Sequence, residues 1–216
     1  MNQRLEKVNS YIRQELGPFD VVFDLGGVLL TWKPDQIIKR KFKEREVQKI
    51  VMDEVICHPD WVELDKGTLD RNKAIERAAI RTGLHPSEIK KLMQLVPYSL
   101  IPVPETLELI RSVKKIGNRV FVLSNMHIDS IDFIEQKYPF WDVFDGMVIS
   151  CRVRMVKPES EIYEHLLEEF DLMIERTIFI DDSHENLEAA SKLGMRIIKF
   201  ENPSQCEAEL KALSCL

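Results

Sequence analysis

Residues 21–30 read VVFDLGGVLL. Three apolar residues, two of them β-branched, run into a carboxylate and a pair of glycines, the pattern of a strand buried on both faces that stops at a tight polar turn. Four more short apolar runs follow: VFVL at 120–123, MVI at 147–149, IFI at 178–180 and RII at 196–198. Helical segments separate them. Pro104 suits a first helical position, Leu107, Ile110 and Val113 mark one face, and Gly117 suits the residue just past the helix end. Further helices are expected over 129–137, 159–170, 185–193 and 205–213. Strands alternating with helices at this spacing imply right-handed crossovers and a parallel sheet, so the expected class is α/β, a Rossmann-like three-layer core.

One interval breaks the rhythm. Nearly a hundred residues lie between Phe23 and Val120, where a crossover needs about thirty. From Pro34 to about Tyr98 the pattern is helical throughout, with Ile37/Ile38, Val47/Ile50/Val51, Ala74/Ala78 and Ile89/Leu92/Met93/Val96, and with breaks at His58-Pro59, Lys66-Gly67 and His85-Pro86. The expected organisation is a core of residues 1–32 and 99–216 with a small helical bundle inserted at 33–98. Pro97, Pro102 and Pro104 suit a semi-rigid hinge on the return path.

The 216 residues are 44% apolar and 31% charged, a globular composition that excludes fibrous and disordered classes. Thirty Lys and Arg against 36 Asp and Glu give a charge of −6, which offers no basic footprint for nucleic acid. No apolar stretch is long enough to span a membrane. Leu5, Val8, Ile12 and Leu16 predict an amphipathic amino-terminal helix rather than a secretory signal. Cys57, Cys151, Cys206 and Cys215 show no zinc spacing, so a reducing, cytoplasmic setting is expected. The oligomeric state is left open.

Ligands of open parallel sheets bind at the carboxyl ends of the strands. There the sequence places Asp24, then Ser124-Asn125, then Asp181-Asp182-Ser183, with Lys157-Pro158 expected to start the helix after the third strand. Three clustered acids repel one another unless a cation or raised pKa values relieve them. Mg²⁺ accepts such oxygens and is commonly shared with a phosphate, whose charge Lys157 would also meet. Asp24, on a turn whose Gly26 and Gly27 leave N–H groups exposed, has the chemistry of a nucleophile toward phosphorus. Phosphoryl transfer to water is the expected reaction.

FDLGGVL at 23–29, LSN at 123–125, KP at 157–158 and FIDDSHEN at 179–186 resemble, in order and spacing, the four motifs of the haloacid dehalogenase (HAD) superfamily. The insertion resembles that family's helical type 1 cap. Within it, HPDWVELDKGTLDRNKAI at 58–75 resembles the subgroup that includes sugar-1-phosphate phosphatases and the amino-terminal domain of epoxide hydrolases. The resemblance implies that Asp24 is the nucleophile and a Mg²⁺ ligand, with the Gly26 carbonyl beside it. Asp182 becomes the acidic ligand and Asp181 its partner, ordering metal-bound water. Ser124 and the Asn125 amide bind phosphate, Lys157 neutralises nucleophile and phosphoryl group, and Asn186 braces the loop. The implied substrate is a small phosphorylated metabolite.

The sequence also departs from the family. Phosphatases of this kind usually carry a second Asp, the general acid and base, two residues after the nucleophile; here that position is Gly26. Loss of a general acid costs 10²–10⁴-fold, roughly 3–5 kcal/mol. A better leaving group, such as an anomeric oxygen, is therefore expected, and a sugar phosphate with it. Two alternatives stand beside this: a weak or inactive relative that only binds a phosphorylated ligand or a partner, and carbon–halogen hydrolysis, against which the Asp181-Asp182 pair argues. His127 is the candidate replacement acid, set against the plainer reading of a surface histidine at a helix start. Trp61, Glu63 and Asp65 could face the substrate; the plainer reading makes Trp61 a core or interface aromatic and both acids solvated.

Overall fold

The computed structural model describes residues 18–216, so the expected amino-terminal helix lies outside the described residues. Five strands form one wholly parallel sheet: β1 (Asp20–Phe23), β2 (Arg119–Ser124), β3 (Gly146–Ile149), β4 (Thr177–Asp181) and β5 (Arg196–Lys199). Their spatial order is β3-β2-β1-β4-β5. The chain runs outward from β1 to β3 and then returns to lay β4 on the other side of β1. The carboxyl ends of β1 and β4 therefore border the point where the winding reverses, the natural crevice of such a sheet.

Strand alternation explains the three layers. Val21, Phe23, Val120, Val122, Ile178 and Ile180 pack with helices α6 (Pro104–Lys115), α7 (Ile128–Lys137) and α11 (Pro203–Ala212). Val22, Phe121, Leu123 and Phe179 face the other way, toward α9 (Ser160–Glu169) and α10 (His184–Leu193). Runs that read as uniformly apolar do so because both faces are covered. A one-turn helix, α8 (Ser150–Val153), follows β3, and α9 begins only at Ser160. Lys157 thus stands in the loop before α9 rather than at its start, because Glu159 holds the extended cap position.

Between Thr31 and Leu100 lie α1 (Pro34–Lys41), α2 (Arg45–Val51) with a π turn over Met52–Ile56, α3 (Pro59–Asp65), α4 (Arg71–Thr82) and α5 (Pro86–Ser99). They bury an apolar cluster of their own, including Ile38, Val51, Trp61, Ile89 and Leu92. The His-Pro pairs that interrupt the pattern are helix starts: the His58 and His85 rings accept the backbone N–H groups of Asp60 and Ser87, and each proline takes the first helical position, where no N–H is needed. Pro97 lies inside the last turn of α5 rather than in the connector. The outgoing and returning connectors are hydrogen-bonded to one another: Thr31 N–H donates to Ile101 O at 2.9 Å, Val103 N–H to Leu29 O at 2.8 Å and Thr31 Oγ1 to Ser99 O at 2.6 Å. Cys57, Cys151 and Cys206 are free thiols. No described helix is long and apolar enough to cross a membrane.

Candidate active site

β1 delivers Asp24 to the crevice, and its backbone N–H donates to Ile180 O at 2.9 Å, so the first residue past β1 is still locked to β4. The chain then turns tightly: Leu25 N–H donates to the Asp24 carboxylate at 2.7 Å, and Leu30 N–H returns to Leu25 O at 2.7 Å. Two glycines occupy this turn for different reasons. Gly27 has φ +79°, and a Cβ there would fall 2.1 Å from Asp182 Oδ2. Only glycine lets the turn and the second acid approach so closely. At Gly26 a Cβ would meet only Trp32 Cβ at 3.8 Å, so the position has room for a side chain.

Carboxylate oxygens of Asp24, Asp181 and Asp182 lie within 4.8 Å of one another. Adjacent oxygens around Mg²⁺ at its ordinary bond length stand about 3 Å apart and opposite ones about 4 Å, so oxygens within 4.8 Å of one another would close on one hard cation by a shift of under about 1 Å. The three acids are not equivalent. Asp181 is fully buried and accepts from Lys157 Nζ (2.6 Å), Ser183 N–H (2.7 Å) and Asn186 Nδ2 (3.1 Å). Asp24 and Asp182 face the cavity instead. Burial pushes Asp24 up to about 7 even against the pull of Lys157, and raises Asp182 as well, with Asp181 adding to both. Carboxylates so disposed gain from a cation, which favours their charged forms.

Lys157 is 3% exposed, yet its ammonium reaches Asp24 Oδ1 at 3.0 Å, Asp181 Oδ2 at 2.6 Å and Leu123 O at 2.9 Å. Burial opposes its charge, but the two carboxylates outweigh burial and hold its pKa above the ordinary lysine value. Its loop is fixed by a reciprocal pair with Asn125: Asn125 Nδ2 donates to Lys157 O and Lys157 N–H to Asn125 Oδ1, both at 2.8 Å. The Asn125 side chain is thus spent on positioning Lys157. Ser124 is 1% exposed and its Oγ makes no hydrogen bond of normal geometry. A buried hydroxyl left in this state beside three acids is suited to an anion's oxygen.

The cavity over these groups measures about 270 Å³. Its polar floor is Asp24, Gly26, Asn125 and Asp182; Trp32, Ile56, Trp61, Val96, Leu100 and Met126 form an apolar wall; Asp65, His127 and Ser130 complete it. Trp61 is buried in the apolar cluster of the helical segment and lies tilted against Trp32, centroids 5.9 Å apart. Glu63 is exposed. Asp65 departs from the solvated reading: its side chain is 14% exposed, and burial, reinforced by the charge of Asp24, pushes its carboxyl up to about 8. His127 does start α7, but it is not a surface residue. Its ring meets Trp61 edge-on with centroids 4.6 Å apart, and burial lowers its pKa to about 4. Nδ1 of His127 and Oδ1 of Asp65 lie 3.7 Å apart, and the two shifts agree that both groups are neutral near pH 7. The local sequence could not reveal this, because Asp65 is drawn in by contacts with segments 62 and 85 residues downstream, at His127 and Ser150.

A family model described as haloacid dehalogenase-like hydrolase matches residues 21–194. The sesquiterpene phosphatase astK of Aspergillus oryzae is 30% identical over 174 residues, covering 81% of this chain and 85% of that protein. The D-ribitol-5-phosphate phosphatase of Bacteroides thetaiotaomicron is 22% identical over 202 residues, covering 90% and 97%. A HAD family enzyme from the same bacterium, bt-2542, solved in complex with magnesium and inorganic phosphate, superposes with a TM-score of 0.64 at 22% identity, covering 85% of this chain and 94% of that one.

Proposed function

The chain belongs to the haloacid dehalogenase-like hydrolase family, and on that premise we propose that it is a Mg²⁺-dependent phosphatase whose substrate is a phosphate monoester of a small, largely apolar alcohol. The observation that carries this reading is the convergence at one crevice of three carboxylates within 4.8 Å, a buried lysine between two of them and a buried serine hydroxyl. In this reading residues 33–98 are a cap over a core formed by the rest of the chain.

Asp24 attacks phosphorus and Lys157 offsets the charge gathering on nucleophile and phosphoryl oxygens. Ser124 Oγ and the backbone N–H groups of Gly26 and Asn125 hold the phosphate; the Leu25 and Gly27 N–H groups, the latter expected to be exposed, are instead bonded to the Asp24 carboxylate and to Leu30 O. Asp24 and Asp182, with the Gly26 carbonyl, would hold Mg²⁺; Asp181, which anchors Lys157, would order the ion's water. Bound there, the ion supplies charge neutralisation and orientation of the phosphate.

The cavity wall supports a revision of the expected sugar phosphate. Each sugar hydroxyl buried against Trp32, Ile56, Val96 or Leu100 without a partner would cost about 1–3 kcal/mol. A hydrocarbon group gains from the same wall, roughly 25 cal/mol for each Å² it buries. The sesquiterpene phosphatase named among the relatives is consistent with this direction. The binding-only alternative rests on Gly26 alone.

The test is phosphate release from n-decyl phosphate, glucose 1-phosphate and p-nitrophenyl phosphate, with Mg²⁺ and with chelator. Release that requires Mg²⁺, disappears in Asp24→Asn and has a kcat/KM at least tenfold higher for the decyl ester than for the sugar is expected. No release from any ester would overturn the reading.

A further inference from the structure

An alcohol leaving phosphorus as an alkoxide needs a proton, and position 26 has no side chain to give one. Among the groups lining the cavity, Asp24 and Asp182 are committed to phosphorus and cation. Ser130 is too weak an acid. His127 is held neutral by burial, and a neutral imidazole is a poor donor. Asp65 remains.

Its placement is built by both parts of the chain. Met126 N–H donates to Ser150 Oγ at 2.9 Å, and Ser150 Oγ donates to the backbone carbonyl of Asp65, so the end of α3 is tied to the loop that follows β2. Two residues on, Gly67 (φ +72°) lies so close to the core that a Cβ would fall 2.6 Å from Cys151 O. The Lys66–Glu159 pair at 2.7 Å and the Arg71–Asp129 pair at 2.9 Å flank this contact. The carboxyl so placed opens on the same cavity as Asp24 and Gly26.

We infer that Asp65, carried into the site by the helical insertion, is the general acid and base of the reaction, in place of the side chain absent at Gly26. The inference rests on the phosphatase reading. Oxygen of Asp24 forms a bond to phosphorus as the phosphorus–alcohol oxygen bond breaks; the leaving oxygen keeps the electron pair and takes the Asp65 proton. The Asp65 carboxylate then takes a proton from water as the water oxygen bonds to phosphorus, the bond to Asp24 breaks, and inorganic phosphate leaves with Asp65 protonated again. The charged and titratable groups facing Asp65 are Asp24, Lys157, His127 and Cys151, with Asp182 across the cavity. Among them burial dominates, and the carboxyl, pushed up to about 8, holds its proton at pH 7. Because the acid belongs to the insertion, a substrate is protonated only while the insertion is docked.

Asp65→Asn keeps the shape of the neutral acid and serves as the test. In a single turnover, alcohol release from n-decyl phosphate should fall 10²–10⁴-fold, while p-nitrophenol release should fall less than tenfold, because that leaving group departs without a proton. With p-nitrophenyl phosphate the variant should also accumulate phosphorylated Asp24, visible by mass spectrometry, since the second step has lost its base. An Asp ¹³Cγ resonance titrating with a midpoint near 8 should be present in the wild type and missing in the variant. Equal losses of alcohol release from the two esters, or a wild-type Asp65 that titrates below pH 5, would overturn the assignment alone. A wild type silent on both esters would overturn the phosphatase reading and the assignment with it.

Discussion

At the scale of single residues, the two positions that decide the chemistry are complementary: Gly26, which has room for a side chain and none present, and Asp65, which supplies a carboxyl from elsewhere. Gly26→Asp alone should change decyl phosphate turnover little. In Asp65→Asn it should recover at least tenfold of the lost rate, measured as phosphate release; no recovery would mean that the two positions do not share a role. Asp65 also has a stability consequence. Its carboxyl titrates near 8 when folded against 3.8 in an ordinary setting. The folded state therefore keeps a proton that the unfolded chain releases, and stability is lost as pH rises from about 4 to about 8. Asp65→Asn removes that loss, so its thermal midpoint relative to wild type should be higher at pH 8 than at pH 5, by an amount on the order of 2–4 kcal/mol in stability. A difference that does not grow with pH would argue against a buried neutral acid. Lys157 is the opposite case. Lys157→Ala strands Asp24 and Asp181, buried and facing each other, and should cost about 3–5 kcal/mol in urea unfolding at pH 7.

At the scale of elements, the sheet was readable because its strands are covered on both faces. A run such as VVF needs no partner to be recognised, and its closing Asp24 marks the strand end that ligands use. The helical interval was readable by its period, and the His-Pro breaks by residue type, although their capping rings were not anticipated. What the sequence could not show is the docking of α3 on the core, since Asp65 meets His127 and Ser150 across long stretches of chain. That docking is mostly a matter of shape, because exposed pairs such as Lys66–Glu159 are worth about 0–1 kcal/mol each. Gly67 is the sensitive point. Gly67→Ala places a methyl group against Cys151 O on a backbone that disfavours it. It should lower kcat/KM for decyl phosphate more than tenfold while circular dichroism keeps its helical signal; unchanged activity would show that closure does not depend on this contact.

At the scale of the whole molecule, one rim gathers residues from four separate crossovers, and the fold must hold like charges together before any ligand arrives. Asp24 and Asp182 are both raised by burial and by Asp181, so the crevice holds a repulsion that Lys157 only partly offsets. A cation binding the folded chain alone should relieve it and stabilise the entire protein by mass action, about 2.7 kcal/mol at one hundred times its dissociation constant. For a chain of this length each kcal/mol raises the thermal midpoint by about 2–4 °C, so saturating Mg²⁺ should lift it by roughly 5–11 °C at pH 7.5. The lift should shrink as pH falls below about 6, because protons then compete for the same oxygens. It should be lost in Asp182→Asn, whose carboxylate faces the cavity, and Ca²⁺ at equal concentration should give a different shift, since the ion demands more and longer bonds. A midpoint indifferent to Mg²⁺ in the wild type would mean that these three carboxylates are held apart by Lys157 and their hydrogen bonds alone, and that the crevice binds its ligand without a metal.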